Sequence, residues 1–310
     1  MAPHASPFFC CVSANDVLRV PGGATVGSCL ALGVAVIRGT RVTMMLTPPH
    51  FPEETAAVYA ILKQQARTIA ARQPVPDFYR VHANDWTHAR RRLDQDPLLL
   101  ALRAFVQERL ENDFGHGIGH ALKVATDAGT LSLIEGRRAG YAARRTARIS
   151  LVCQAAGLLH DIHRKRANHA LEGARFARQA LAAFAFSPRE IEGICYAIGN
   201  HEAFQQIKTP PTETAGLMSD CLYDADKFRW GPDNFTDTLW DMVAFYNPSL
   251  ADFVARYPGG MQRLEEIKTT FRSPTGKAYG PQMIDYGIAI GQELMAFILT
   301  EFTRMLGQNP

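Results

Sequence analysis

Apolar residues recur at helical spacing along most of the chain from residue 53 onward. The segment 53–72 alternates apolar and charged residues with a period near 3.6, which predicts a first helix. A break containing Pro74 and Pro76 follows, and a second helix is predicted over about 97–111. No part of the chain shows a sustained period of two over several strands. The pattern therefore predicts an all-α protein.

The middle of the chain carries the clearest helical faces. Residues 149–159 are apolar nearly all round, which predicts a central, buried helix. The sequence Ser-Pro-Arg-Glu at 187–190 is typical of a helix start, with Ser as the N-cap, Pro at the first helical position and Glu at the third. A further helix is predicted over about 214–226.

Glycine and proline punctuate the C-terminal part. They predict turns at 231–232, 257–260, 273–276 and 280–281, and a final amphipathic helix is predicted over 283–306. Six aromatic residues in this part are expected in the core: Phe228, Trp230, Phe235, Trp240, Phe245 and Tyr246.

Residues 1–46 differ from the rest, being rich in Gly, Val, Ala and Cys with no helical period and a short strand or two around 33–42. We expect them to be a poorly ordered N-terminal extension, and Met44 or Met45 would be a natural start. The remainder, 47–310, is expected to be a single helical domain. Its chemistry-bearing segments lie within 114–230, and further helices occupy 231–310.

Composition excludes some classes of function. A net charge of +3 over 310 residues gives no strong nucleic-acid signal, and 47% hydrophobic with 20% charged residues describes an ordinary globular protein. Six scattered cysteines without a C-x-x-C pair indicate reduced thiols, and hence a cytoplasmic location. The longest apolar stretch, about 14 residues at 24–37, is shorter than the roughly 20 that a membrane span needs. We therefore expect no membrane span.

The pair His160-Asp161 closes the predicted central helix. An ionised carboxylate costs several kcal/mol to bury unless a cation compensates it, and a divalent metal ion would do so. His120 and Asp226 lie on the apolar or helix-end sides of their own predicted helices. Helix bundles assemble metal sites from separate helices in this way. His120, His160, Asp161 and Asp226 are therefore the candidate metal ligands.

The order His, His-Asp, Asp resembles the HD superfamily of metal-dependent phosphohydrolases. Four segments carry the resemblance: Gly-His-Gly-Ile-Gly-His at 115–120, Leu-Leu-His-Asp-Ile at 158–162, Asn-His-Ala-Leu-Glu-Gly at 168–173 and Tyr-Asp-Ala-Asp-Lys-Phe at 223–228. They span about a third of the chain. The resemblance implies an HD-domain helical bundle with additional C-terminal helices.

The resemblance also implies which aspartate of the last segment is the ligand. The family's usual ligand directly precedes the basic residue, which indicates Asp226 ahead of Lys227. Asp224 lies roughly 200° around the same helix, so the two cannot easily face one ion. Imidazole and carboxylate ligands suit Mn, Fe, Co, Ni or Mg, as one or two ions.

Further residues of these segments are expected to take part in the chemistry. His169, His201 and Lys227 are the candidate catalytic groups, and Arg164 and Lys165 are weaker candidates for binding substrate phosphate. The expected activity is metal-dependent hydrolysis, by a metal-activated water, of a phosphomonoester, phosphodiester or pyrophosphate bond. The expected partner is a small phosphorylated substrate such as a nucleotide, and the sequence leaves oligomerisation open.

Two alternatives remain at the level of the sequence. Some HD-superfamily members resemble di-iron oxygenases with six His and Asp ligands, and adding His169 and His201 to the four ligands gives six. A non-catalytic nucleotide-binding module is the other alternative, although its ligand set would be expected to decay. His163 adds an imidazole three residues after His160, one turn along if the helix continues, and we expect it at the surface or at the substrate.

Overall fold

A computed structural model describes residues 33–37, 40–44, 53–110 and 117–303, with only the backbone described for 33–37, 40–44, 53 and 54. The fold is all-α, as predicted, apart from a two-stranded antiparallel hairpin of β1 (Gly33–Ile37) and β2 (Thr40–Met44). The hairpin confirms the strands expected around 33–42. The other residues of the predicted extension, and with them its expected poor order, lie outside the described residues.

Twelve α-helices follow within the described part of the chain. They are α1 (Glu53–Ala70), α2 (Asp77–Val81), α3 (Ala83–Gln95), α4 (Pro97–Gln107), α5 (Ile118–Arg138), α6 (Ala143–Leu159), α7 (His169–Ala180), α8 (Pro188–Gly199), α9 (Glu213–Lys227), α10 (Leu239–Tyr246), α11 (Leu250–Lys268) and α12 (Pro274–Glu301). The capping box at Ser187 and Glu190 begins α8, as its sequence predicts.

Helices α5 and α6 form the centre of the bundle. Residues 149–159 of α6 are all buried, in agreement with the apolar run in the sequence. The two helices are joined by a short turn, and their backbones are in contact at Gly157 and Ala125. A Cβ added to Gly157 would lie only 2.5 Å from the Cα of Ala125. This contact places the first turn of α5, with His120, beside the end of α6, with His160.

Replacing Gly157 by Ala is expected to lower the free energy of unfolding by about 1–3 kcal/mol, the usual cost of overpacking a dense core. The added methyl group meets backbone atoms, which cannot rotate away. Chemical denaturation measures the change. Gly259→Ala in α11 is the matched control, since nothing lies within 4 Å of its added Cβ. This control should be neutral or slightly stabilising; equal losses in both variants would contradict the packing argument.

A buried polar network attaches α2 and α3 to the central helices. Asp127 of α5 is 1% exposed and accepts hydrogen bonds from Tyr79 Oη at 2.7 Å and Trp86 Nε1 at 3.1 Å. Arg229, just beyond α9, donates to both Asp127 and Tyr79. The network therefore ties the N-terminal helices to the turn that follows Asp226.

Three of the predicted C-terminal turns are wrong. Residues 257–260 lie inside α11, and 274–276 and 280–281 lie inside α12. Gly280 makes room for the ring of Phe271, whose atoms would lie 2.4 Å from an added Cβ. Tyr257 Oη donates to the Gly291 carbonyl of α12 at 2.8 Å. Tertiary packing has therefore outweighed the local preference of Gly and Pro to end a helix.

The predicted start of the last helix is also wrong. Ser273 is the N-cap of α12 and accepts a hydrogen bond from the Gly276 N–H, so the helix begins at Pro274 instead of near residue 283.

Four of the six C-terminal aromatics are buried as predicted, whereas Phe245 and Tyr246 are 39% and 40% exposed.

Helices α2 and α3 were not predicted, because the segment 77–95 contains few apolar residues and its pattern is dominated by charge.

One of the described helices, α12, is long and apolar enough to cross a membrane by length and composition. In its most apolar window, 44% of the residues are buried inside the protein, and a core helix can meet the same two criteria.

Cys153, Cys195 and Cys221 are buried and form no disulfide among the described residues. The absence of a membrane span and the cytoplasmic location stay predictions.

Candidate metal centre

Four side chains from three helix ends converge on one point. His120 lies in the first turn of α5, His160 and Asp161 directly follow α6, and Asp226 lies in the last turn of α9. His120 Nε2 is 3.2 Å from His160 Nε2 and 3.3 Å from Asp226 Oδ1, and His160 Nε2 is 3.4 Å from Asp161 Oδ2. Ligands about 2.1 Å from an ion lie roughly 3.0–3.4 Å from each other. The donor set therefore fits a small divalent ion.

Hydrogen bonds outside this group hold its donor atoms in place. His160 Nδ1 lies 2.8 Å from the Gly157 carbonyl, which assigns a proton to Nδ1 and turns Nε2 toward the group. Lys227 Nζ donates to Asp226 Oδ2 at 2.6 Å and leaves Oδ1 facing the two histidines. Lys227 is only 1% exposed. In this structure the buried Lys227 therefore orients the proposed ligand Asp226.

A second donor group adjoins the first and shares Asp161 with it. Asp161 Oδ1 lies 3.2 Å from His201 Nε2 and 3.6 Å from His169 Nε2, and the two imidazole nitrogens are 3.3 Å apart. His201 Nδ1 lies 2.7 Å from the Ile198 carbonyl, and His169 Nδ1 lies 2.9 Å from Glu202 Oε1. Both rings therefore direct Nε2 at Asp161. One carboxylate bridges the two donor groups.

Electrostatics at the first group indicate a shortage of positive charge. Burial alone would lower the pKa of His160, but the carboxylates of Asp161 and Asp226 outweigh it and raise that pKa to about 10. Burial would raise the pKa of Asp226, yet Lys227 and the two histidines hold it well below its usual value. A divalent ion would supply the missing charge.

Asp224 lies away from both groups. Its two carboxylate oxygens accept the N–H groups of Arg272 and Ser273, each at 2.8 Å, where α12 begins. Burial raises the pKa of Asp224 to about 7. The structure thus brings Asp226, and not Asp224, to the other donors.

A cavity of about 420 Å³ opens beside Asp161 and is lined largely by basic residues. Its lining residues are Arg109, Leu110, Asp161, Ile162, His163, Arg164, Lys165, Arg166 and Phe176. Both candidate phosphate-binding residues, Arg164 and Lys165, are therefore at the cavity. His163 is half-buried and packs on the Phe176 ring, with centroids 4.8 Å apart.

Two residues of this site were missed from the sequence. Glu202 Oε1 lies 2.9 Å from His169 Nδ1, and its position directly after His201 was the available signal. The hydrogen bond from His169 outweighs burial and lowers the pKa of Glu202 to about 2. Arg109 reaches the cavity from the end of α4, and no local motif marks it.

The fold and the donor groups define a helical protein with a candidate His/Asp metal centre. A solved structure of a predicted HD superfamily hydrolase from an uncultured Thermotogales bacterium is similar to the chain at 18% identity. The match covers 69% of this chain and 95% of that one, with a TM-score of 0.37. No protein-family model and no curated protein matches the sequence.

Metal binding at pH 7 is expected to release about one proton per ion, because His160 must lose its proton to coordinate. With a pKa of about 10, His160 is protonated in the metal-free protein at this pH. Affinity for the ion should therefore rise up to about tenfold per pH unit from pH 6 to 9. Calorimetry in buffers of different ionisation enthalpy measures the proton. Release of no proton would contradict a protonated His160 in the metal-free protein.

Proposed function

We propose that the chain is a metal-dependent hydrolase of a small phosphorylated compound. The observation that supports this most strongly is the pairing of His120, His160, Asp161 and Asp226 with a basic cavity beside Asp161. A divalent ion held by the four residues would polarise a phosphoryl oxygen and lower the pKa of water. The basic residues that line the cavity support a phosphate compound as the substrate class.

The residues of the chain have separable tasks in this proposal. Asp226 and His160 are oriented by Lys227 and by the Gly157 carbonyl, so they bind without rearrangement. Arg164 and Lys165 would contact phosphoryl oxygens, Arg through its planar fork and Lys as a point charge. His169 is neutral near pH 7, because burial and the Arg164 guanidinium lower its pKa to about 4.

Metal content and a substrate panel test the proposal. The protein as purified and after chelation would be assayed against a phosphomonoester, a phosphodiester, pyrophosphate and nucleotides. We expect activity that chelation removes and a divalent ion restores. His160→Gln should abolish it, while His88→Gln, an exposed histidine of α3, should not. Equal activity in the two variants would refute the proposal.

The second donor group supports one competing function, a di-iron oxygenase. It brings the number of His and Asp donors around Asp161 to six: His120, His160, Asp161, His169, His201 and Asp226. Two irons per chain together with oxygen consumption would favour this function. A single redox-inert ion would exclude it.

A further inference from the structure

The backbone that carries His201 is held by an arginine from the segment that precedes α12. Helix α8 ends at Gly199, and the last carbonyl groups of a helix have no partner within it. The Asn200 carbonyl, which belongs to the peptide group joining Asn200 to His201, accepts a hydrogen bond from Arg272 Nη1 at 2.8 Å. The N–H of the same peptide group donates to the Ile198 carbonyl at 3.4 Å, beyond the usual range. Arg272 therefore makes the shorter of the two hydrogen bonds to this peptide group.

Arg272 is itself fixed by α9, the helix that carries Asp226. Its guanidinium carbon lies 3.5 Å from the centre of the Tyr223 ring, in a cation–π contact. Its backbone N–H donates to Asp224 Oδ1 at 2.8 Å, and the next residue, Ser273, is the N-cap of α12. The arginine is half-buried. Arg272 therefore links α9 to the end of α8 through a side chain with little freedom to rotate.

The His201 ring depends on the backbone at the end of α8 for its direction. Its Nδ1 lies 2.7 Å from the Ile198 carbonyl, three residues earlier, and its Nε2 lies 3.2 Å from Asp161 Oδ1. A rotation of the peptide group before His201 would turn the ring away from Asp161. Among the described residues, Arg272 forms no hydrogen bond or ion pair with a donor of the first group. Loss of Arg272 should therefore disturb the second donor group and spare the first.

We propose that Arg272 is a positioning residue for the second donor group, which holds His201 where it and Asp161 can bind a second divalent ion. The inference rests on the metal site of the proposed function and assigns a task to a residue outside that site. Charge alone predicts the opposite effect, because a cation close to an ion weakens the binding of that ion. The sign of the change on removing Arg272 therefore separates positioning from electrostatics.

Titration of the metal-free protein with Mn²⁺ tests the inference without an activity assay. We expect calorimetry to show two ions per wild-type chain, and the paramagnetic resonance spectrum to show that the two are coupled through Asp161. In Arg272→Met, affinity for the first ion should stay within about threefold, and affinity for the second should fall about 10- to 100-fold, as for other residues that orient ligands. At an Mn²⁺ concentration that fills both groups in the wild type, this variant should give the spectrum of one uncoupled ion.

Arg148→Met is the matched control at the opposite end of α8. Arg148 is also half-buried, donates to the backbone carbonyl of Ala185 at 3.0 Å and lies over the Phe186 ring. Its substitution should leave the affinity for both ions within about threefold of wild type. Urea denaturation of each metal-free variant verifies that it is folded. Arg272→Lys keeps the charge and loses the planar fork, so it should weaken the second ion in the same direction, and it replaces Arg272→Met if that variant is unfolded.

Each outcome bears on the inference. A second ion that binds Arg272→Met as tightly as wild type, or more tightly, would overturn it and leave the proposed hydrolase intact. Equal weakening of both ions, or the same loss in Arg148→Met, would indicate a general loosening of the fold and would overturn it as well. A single ion in the wild type would also overturn it. No bound ion in any variant would refute the metal site of the proposed function and this inference together.

Discussion

An Asp161→Asn variant is expected to lose more than about 100-fold in affinity for a divalent ion, since changes to residues that only support metal ligands already cost 10- to 100-fold. Asp161 offers Oδ2 to the first donor group and Oδ1 to the second, so the substitution weakens both. A bound ion supplies several kcal/mol of transition-state stabilisation. Hydrolysis should therefore fall by about three orders of magnitude or more. Calorimetry and steady-state kinetics measure the two effects.

The control for this variant is Asp224→Asn, which alters another buried carboxylate close to the site. Asp224 binds the start of α12 and faces neither donor group, so affinity for the ion should stay within about threefold of wild type. Its cost should appear in stability, at about 1–3 kcal/mol for a buried hydrogen bond lost. If Asp224→Asn weakens metal binding as much as Asp161→Asn, the assignment of ligands is wrong.

Asp127→Ala is expected to lower the free energy of unfolding by about 3–5 kcal/mol, the largest effect on stability that we predict. The substitution removes the carboxylate closest to the Arg229 guanidinium, which is 8% exposed and keeps its contact with Asp233. It also removes the acceptor for Tyr79 and Trp86. Breaking a buried ion pair from one side carries a penalty of this size, because the remaining charge stays buried. Urea denaturation of the metal-free protein measures it.

Asp85→Ala provides the comparison at the surface. Asp85 forms a bidentate salt bridge with Arg137, whose side chain is 52% exposed. Exposed salt bridges of this kind contribute about 1 kcal/mol or less to the free energy of unfolding. A double variant, Asp127→Leu with Arg229→Met, should recover much of the stability lost in Asp127→Ala, since no unpaired charge is left buried. Equal losses for Asp127→Ala and Asp85→Ala would mean that burial does not determine the effect.

The sequence predicted those helices in which apolar residues recur at helical spacing. It also predicted the His and Asp side chains that the candidate metal centre brings together. The run 149–159 and the capping box at 187–190 specify α6 and the start of α8 from local composition alone. Donors at the ends of such helices could be recognised by their residue type and order. Their roles as ligands stay predictions until an ion is measured.

Features that depend on distant contacts could not be predicted. The segment 77–95 shows weak apolar periodicity, and its helices are fixed by Tyr79 and Trp86 bonding to Asp127 about 40 residues later. Gly280-Pro281 resembles a turn until Phe271 is seen to fill the space beside the glycine. Arg164 was assigned to phosphate by charge, and only geometry places it against His169.

The backbone contact between Gly157 and Ala125 bears on which size of ion the site prefers. Ligands on mobile loops can move to suit ions of different radius, whereas His120 and His160 are held by two helices that touch at atoms with no rotational freedom. Their nitrogens lie 3.2 Å apart, a spacing that suits ligand bonds near 2.1 Å. Imidazole nitrogens are ligands for transition metals, whereas Ca²⁺ takes oxygen ligands. By holding two imidazole nitrogens at this spacing, the contact at Gly157 thus favours the smaller transition metals over Ca²⁺. Gly157, which is not itself a proposed ligand, would in this way contribute to the choice of ion.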